Sequence, residues 1–134
     1  MTTLLIRPAL RDDASSIDVG VPAPGNFNSI RLERHLRGET LFLTAWLGDD
    51  CVGRAEVLWD GCQEPEVRQE LGGVPEVNGI DVSVPHRGEG IGTALIRTAA
   101  GAAHQRGHAR IGVGVDLTNE GAHRLYERLG FTGM

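Results

Sequence analysis

Val84-Pro85-His86-Arg87-Gly88-Glu89-Gly90-Ile91-Gly92-Thr93-Ala94-Leu95 joins an apolar, strand-like run to a helix through a turn with glycine at alternate positions. Upstream, residues 77 to 84 alternate as a strand does, with Ile80, Val82 and Val84 on one face and Asp81 and Ser83 on the other. Downstream, Ile91, Leu95, Ala99 and Ala102 recur at helical spacing. The turn therefore lies at a helix N-terminus, where the first backbone N–H groups have no intrahelical partner and the macrodipole is positive. Both features suit a pyrophosphate. Gly88, Gly90 and Gly92 let the backbone approach an anion without a Cβ in the way, and Arg87 adds a charged donor.

Two other glycine loops are excluded by spacing. A dinucleotide fingerprint needs glycine three residues after its second glycine, where Gly88-x-Gly90 is followed by Thr93, and no Gly-Lys-Ser/Thr triplet of a Walker loop occurs. What remains is Arg87-x-x-Gly90-x-Gly92 between a strand and a small-residue helix. After Gly107 comes a second strand, Arg110-Ile111-Gly112-Val113-Gly114-Val115-Asp116, then Thr118-Asn119-Glu120 opening a helix with Ala122, Leu125, Tyr126 and Leu129, closed by Gly130-Phe131. The first block resembles motif A of the GNAT superfamily of N-acetyltransferases, and the second resembles that family's closing signature. The likeness covers roughly residues 1 to 131 and is specific from about residue 77.

The resemblance implies that the loop holds the pyrophosphate of acetyl-CoA, with Val82, Ser83, Val84, Arg87, Gly88, Gly90, Ile91, Gly92, Thr93, Asn119 and Tyr126 in contact with it. It implies that backbone N–H groups along residues 82 to 84 polarise the thioester carbonyl, the same strand edge pairing with the pantetheine amides. Tyr126 is the candidate proton donor to the departing thiolate: it is the chain's single tyrosine, and a phenol keeps its proton at neutral pH. Asn119 lies two helical turns earlier on the same face, about 10 Å away. From the residues alone, a half-buried helix aromatic is the favoured reading of Tyr126 and an N-cap that of Asn119; the resemblance favours function for Tyr126 and both jobs for Asn119. Asp81 and Glu76 are the candidate general bases, since the family places an acidic residue near this strand; two surface carboxylates are the competing reading. Glu89 is read as a solvated carboxylate, because pointed into the loop it would repel phosphate.

Composition fits a single enzyme domain over 1–134. The chain has 134 residues, 40% of them hydrophobic, enough for one core. Its net charge of −5 argues against a nucleic-acid partner. No apolar run approaches a membrane span and no secretory signal opens the chain, so a cytoplasmic location is the expectation. Cys51 and Cys62 make neither a metal motif nor a disulfide framework, and His104 and His108 lack a third ligand nearby; no metal is expected.

Local signals complete the expected fold. Leu4 to Pro8 reads as a strand, Arg11-Asp12-Asp13-Ala14 as a helix start broken by Pro22 and Pro24, and Asn28 or Ser29 as the cap of a second helix through Arg37 with Ile30, Leu32 and Leu36 inward and Gly38 as its stop. Leu41 to Leu47 and Cys51 to Trp59 read as a hairpin across Gly48-Asp49-Asp50, and Asp60 to Pro75 as a surface loop. The strand-helix-strand unit from residue 77 calls for parallel central strands. The expected class is α/β: one GNAT-like mixed sheet flanked by helices on both faces.

The resemblance also implies further C-terminal strands, whereas the sequence ends at Met134. A truncated sheet edge, either left short or covered by a second copy in a homodimer, is the resulting expectation. The leading functional expectation is direct acetyl transfer in a ternary complex from acetyl-CoA to a primary amine, on a small molecule or an amino terminus. A CoA-binding sensor or interaction module without turnover is the alternative.

Overall fold

A computed structural model describes residues 3–59, 75–108 and 111–113 of the chain. Strands β1 (Leu4–Pro8), β2 (Thr40–Leu47), β3 (Asp50–Leu58), β4 (Glu76–Val82) and β5 (Gly112–Val113) form one sheet in sequence order. The first four pair antiparallel, and β4 pairs β5 in parallel. The helices are α1 (Ala14–Gly20), preceded by a 3-10 turn over Arg11–Asp13, then α2 (Phe27–Leu36) and α3 (Ile91–Gln105). The mixed sheet, the hairpin and the parallel β4-α3-β5 crossover follow the sequence expectation.

Each face of the sheet carries its own core. On one side Leu43, Ala45, Ala55, Val57 and Val77 meet Ile91, Leu95 and Ala99 of α3. On the other, Phe42, Trp46 and Cys51 meet Ile17 of α1, Val21 and Leu32 of α2. Gly53 lets α3 lie close: a Cβ there would come within 2.9 Å of Ile91 Cγ2 and 3.1 Å of Leu95 Cδ1. Gly20 does the same for α1, where a Cβ would stand 1.9 Å from the Cys51 carbonyl oxygen. Because that obstacle is backbone, Gly20→Ala should cost about 2 kcal/mol of stability. The readout is a lowered urea midpoint at constant m-value; an unchanged midpoint would mean that α1 shifts freely on β3.

Several local expectations need correction. Asn28 and Ser29 do not cap α2. Asn26 occupies the N-cap without a side-chain cap bond, while Asn28 is buried and donates to Asp18 Oδ1 (3.1 Å) and the Val21 carbonyl (3.0 Å), tying α2 to the end of α1. Of the expected inward residues of α2, Leu32 is buried but Ile30 and Leu36 are exposed, because the short helix rests on β2 along a narrow stripe. Gly38 does stop the helix, in the left-handed region at φ 79°, with Gly38 N–H and Glu39 N–H donating back to the carbonyls of His35 and Arg34. The hairpin turn is two residues, Gly48-Asp49, with glycine at positive φ in the first position. In α3, Ile96 and Ala103 join the buried face and Ala102 is only partly covered.

Strand β4 differs most. It ends at Val82, and Val84-Pro85-His86 forms a 3-10 turn with Val84 71% exposed, so the apolar alternation overshoots the strand by one period. Gly79, at φ 62°, makes a bulge opposite β3, where Arg54 pairs Asp81 and Glu56 pairs Asn78. The bulge explains why Val77 packs on the α3 side together with Ile80 and Val82, an odd spacing for one face. The expected loop, apart from Pro75, and Asn119, Tyr126 and the closing signature lie outside the described residues.

Candidate functional site

The end of β4, the 3-10 turn and the start of α3 form one continuous turn. Ile91 opens α3, and the first helical bond runs from Ala94 N–H to Gly90 carbonyl (3.0 Å). The N–H groups of Ile91, Gly92 and Thr93 precede that bond and have no intrahelical acceptor. Gly88 (φ 82°) and Gly90 (φ 86°) hold left-handed conformations that favour glycine, and a Cβ on either would touch nothing within 4 Å. Packing inside the chain therefore does not require these glycines; their left-handed conformation favours them, and the space in front of the helix is open. Such a cradle fits a pyrophosphate.

The charges around it are arranged by side-chain bonds. Glu89, expected to turn away from phosphate, is drawn to His86, whose Nδ1 lies 3.2 Å from Glu89 Oε1. Arg87 does not reach over the cradle. Its Nε donates to the Val82 carbonyl (3.1 Å) and its Nη2 to Asp81 Oδ1 (3.2 Å). Asp81 Oδ1 also accepts from Val82 N–H (2.9 Å), and Oδ2 lies 3.7 Å from Arg54 Nη2. Ser83 N–H donates to the Val52 carbonyl on β3 (2.8 Å). Of the backbone donors expected along 82 to 84, those of Val82 and Ser83 are thus engaged in this arrangement.

The two candidate bases are far apart. Asp81 stands at the cradle end of β4 and Glu76 at the other, five residues away, roughly 16 Å at strand rise. Glu76 is buried, paired across to Leu58 and Gly112. Asp81, Val82, Ser83, Arg87 and the glycines are brought together; Glu76 is not among them.

Sequence reasoning missed Arg54. It is 4% exposed, and its guanidinium donates to Val21 carbonyl (3.1 Å), Pro22 carbonyl (3.3 Å) and Gly79 carbonyl. One side chain thus joins the link between α1 and α2 to the bulge that carries Asp81. Burial, with Arg31 nearby, pushes its pKa down to about 10, which still leaves it charged at neutral pH. Beside it, Arg34 grips the buried Glu56 carboxylate through Nε (3.1 Å) and Nη2 (2.5 Å), and Thr40 Oγ1 donates to the same group (2.8 Å). The available signal was a charged pair, Arg54 and Glu56, inside an otherwise apolar strand run.

A cavity of about 310 Å³ opens between α1 and the β2-β3 turn, lined by Ser15, Ser16, Asp49, Asp50 and Cys51 and reaching the site at Ser83 and His86. Cys51 is buried there; burial raises its pKa, which keeps the thiol protonated, with Sγ 3.5 Å from the Gly53 carbonyl. Among the described residues no helix is long and apolar enough to cross a membrane, and no group of three His, Cys, Asp or Glu side chains is placed to hold a metal ion.

Comparison with known proteins adds the family. A sequence model of the Acetyltransferase (GNAT) family matches residues 8–131. An uncharacterised N-acetyltransferase of Methanocaldococcus jannaschii is 45% identical over 58 residues, which are 43% of this chain and 26% of that protein, so the match spans about a quarter of the relative's length. Ribosomal-protein-alanine N-acetyltransferase from Brucella melitensis biovar Abortus 2308 has a similar structure, with TM-score 0.73 and 21% identity over 95% of this chain and 90% of that one. AAC(6')-Iy, solved with the bisubstrate analogue CoA-S-monomethyl-acetylneamine, has TM-score 0.76 and 17% identity over 98% and 92%. At these identities the structural likeness is one of fold.

Proposed function

The chain belongs to the GNAT family of acetyltransferases, and from that membership we propose that it carries an acetyl group from acetyl-CoA to a primary amine by direct attack in a ternary complex. The observation that carries this reading is the cradle: two glycines at positive φ with nothing within 4 Å of an added Cβ, before three N–H groups that precede the first intrahelical bond. When bound, acetyl-CoA supplies the activated acetyl group. Gly88, Gly90, Ile91, Gly92, Thr93 and Arg87 would hold its phosphates, while Val82, Ser83 and Val84 would border its pantetheine arm. Asp81, at the cradle end of β4, would take a proton from the incoming ammonium; Glu76, at the far end, is the weaker candidate. Tyr126 would protonate the leaving thiolate.

Direct attack is favoured over a covalent acetyl-cysteine because the Cys51 thiol is buried and kept protonated. The acceptor class is an amine on a small molecule or an amino terminus. Of the two solved structures above, one is named for the alanine of a ribosomal protein and the other holds an acetylneamine analogue, so the fold itself does not choose between these.

The test is release of free thiol from acetyl-CoA in the presence of aminoglycosides, polyamines, amino acids and alanine-terminated peptides, with mass spectrometry of each product. Acetylated amine with stoichiometric thiol is the expected result. Acetyl-CoA binding without any acetylated product would instead support the sensor reading, and absence of both would contradict each.

A further inference from the structure

Asp81 stands between two guanidinium groups of opposite character. Arg54 is buried and tied to three backbone carbonyls, so it cannot move without breaking the link between α1 and α2. Arg87 is more than half exposed and bonded only to Asp81 Oδ1 and the Val82 carbonyl in the hydrogen bonds described above. Its Cα adjoins Gly88, within a side chain's reach of the cradle. An exposed arginine changes rotamer in nanoseconds, whereas the buried one has no room to do so.

We propose that Asp81 and the Val82 carbonyl hold Arg87 in a parked position in the ligand-free chain, and that acetyl-CoA binding transfers Arg87 from Asp81 to the phosphates. This rests on the reading of the cradle as the acetyl-CoA site. Parking has two effects. It covers the Val82 carbonyl, on the strand edge where the pantetheine arm would bind, so the cofactor competes with Nε for one acceptor. It also occupies Asp81 Oδ1, which becomes available to an ammonium only after Arg87 has left. Arg54 keeps the carboxylate in place during the exchange. Cofactor arrival therefore precedes deprotonation of the acceptor.

A double-mutant cycle tests it, with calorimetric acetyl-CoA affinities for wild type, Asp81→Asn, Arg87→Gln and the pair. Release of an exposed ion pair predicts that Asp81→Asn tightens acetyl-CoA binding about 2- to 5-fold when Arg87 is present. The Arg87→Gln background should show a clearly smaller gain. An equal gain in both backgrounds would mean plain charge repulsion with the phosphates, and a loss with Arg87 present would mean that Asp81 holds Arg87 on the ligand; either overturns the proposal. The Arg87 Nε–H resonance gives a reading that needs no affinity. It should shift on Asp81→Asn in the ligand-free protein and on saturating the wild type with acetyl-CoA; no shift on Asp81→Asn overturns the parked contact. A wild type that binds no acetyl-CoA overturns the cradle reading, and the release with it. The ligand-free resonance tells that failure apart from failure of the parked contact alone.

Discussion

Gly90→Asp is expected to leave a folded chain whose affinity for acetyl-CoA is about 100-fold weaker. Gly90 is the N-cap of α3 at φ 86°. Aspartate tolerates the left-handed region better than most residues and is a favoured N-cap, so folding should lose about 1 kcal/mol or less. Its Cβ would meet nothing within 4 Å. The carboxylate, however, would turn onto the N–H groups of Gly92 and Thr93 and add a negative charge where the phosphates belong. Losing one or two charge-assisted hydrogen bonds is worth about 3 kcal/mol, which is the 100-fold given. Calorimetric titration beside a thermal melt checks it. An unchanged affinity in a folded variant would place the phosphates elsewhere.

Tyr126→Phe should lower kcat about 100-fold or more while leaving acetyl-CoA affinity within a small factor. The prediction rests on the family signature around Leu125-Tyr126, a stretch outside the described residues. A phenol placed to protonate the departing thiolate acts in the transition state, where general acids contribute about 10²- to 10⁴-fold. Removing one hydroxyl takes little from ground-state binding, so the loss should appear in kcat and kcat/KM together. Single-turnover thiol release at saturating acetyl-CoA is the measurement. A variant with full kcat would leave thiolate protonation to solvent or another group.

The strand-turn-helix geometry of the candidate site was legible because its physics is local. A strand, a turn with glycines at 88 and 90 and a small-residue helix that takes Gly92 into its first turn are each written in consecutive residues, and the structure assembles them in that order. The hairpin of β2 and β3 and the parallel crossover were legible for the same reason. What escaped depends on contacts between distant segments. Asn28 looks like a cap in isolation, but the end of α1 draws its amide inward. Gly79 sits in an alternating run, where a lone glycine hints at a bulge or at close packing, and only β3 lying beside it decides for the bulge. Arg54 and Glu56 alternate like the polar face of an exposed strand. They are buried because the α1-to-α2 link and α2 cross that face and bring Arg34, Val21 and Pro22 to meet them. The parked position of Arg87 likewise depends on where the bulge sets Asp81.

The account turns on the phosphates being held by the loop from Gly88 to Thr93. Calorimetric titration of the wild-type chain with acetyl-CoA and, in parallel, with phosphate-free S-acetylpantetheine tests this directly. The account predicts saturable one-to-one binding of acetyl-CoA and binding of acetylpantetheine, which lacks the adenosine together with the phosphates, at least about 100-fold weaker, with several charge-assisted bonds supplying most of the difference. Equal affinity for the two, or no binding of acetyl-CoA by the folded chain, would contradict it.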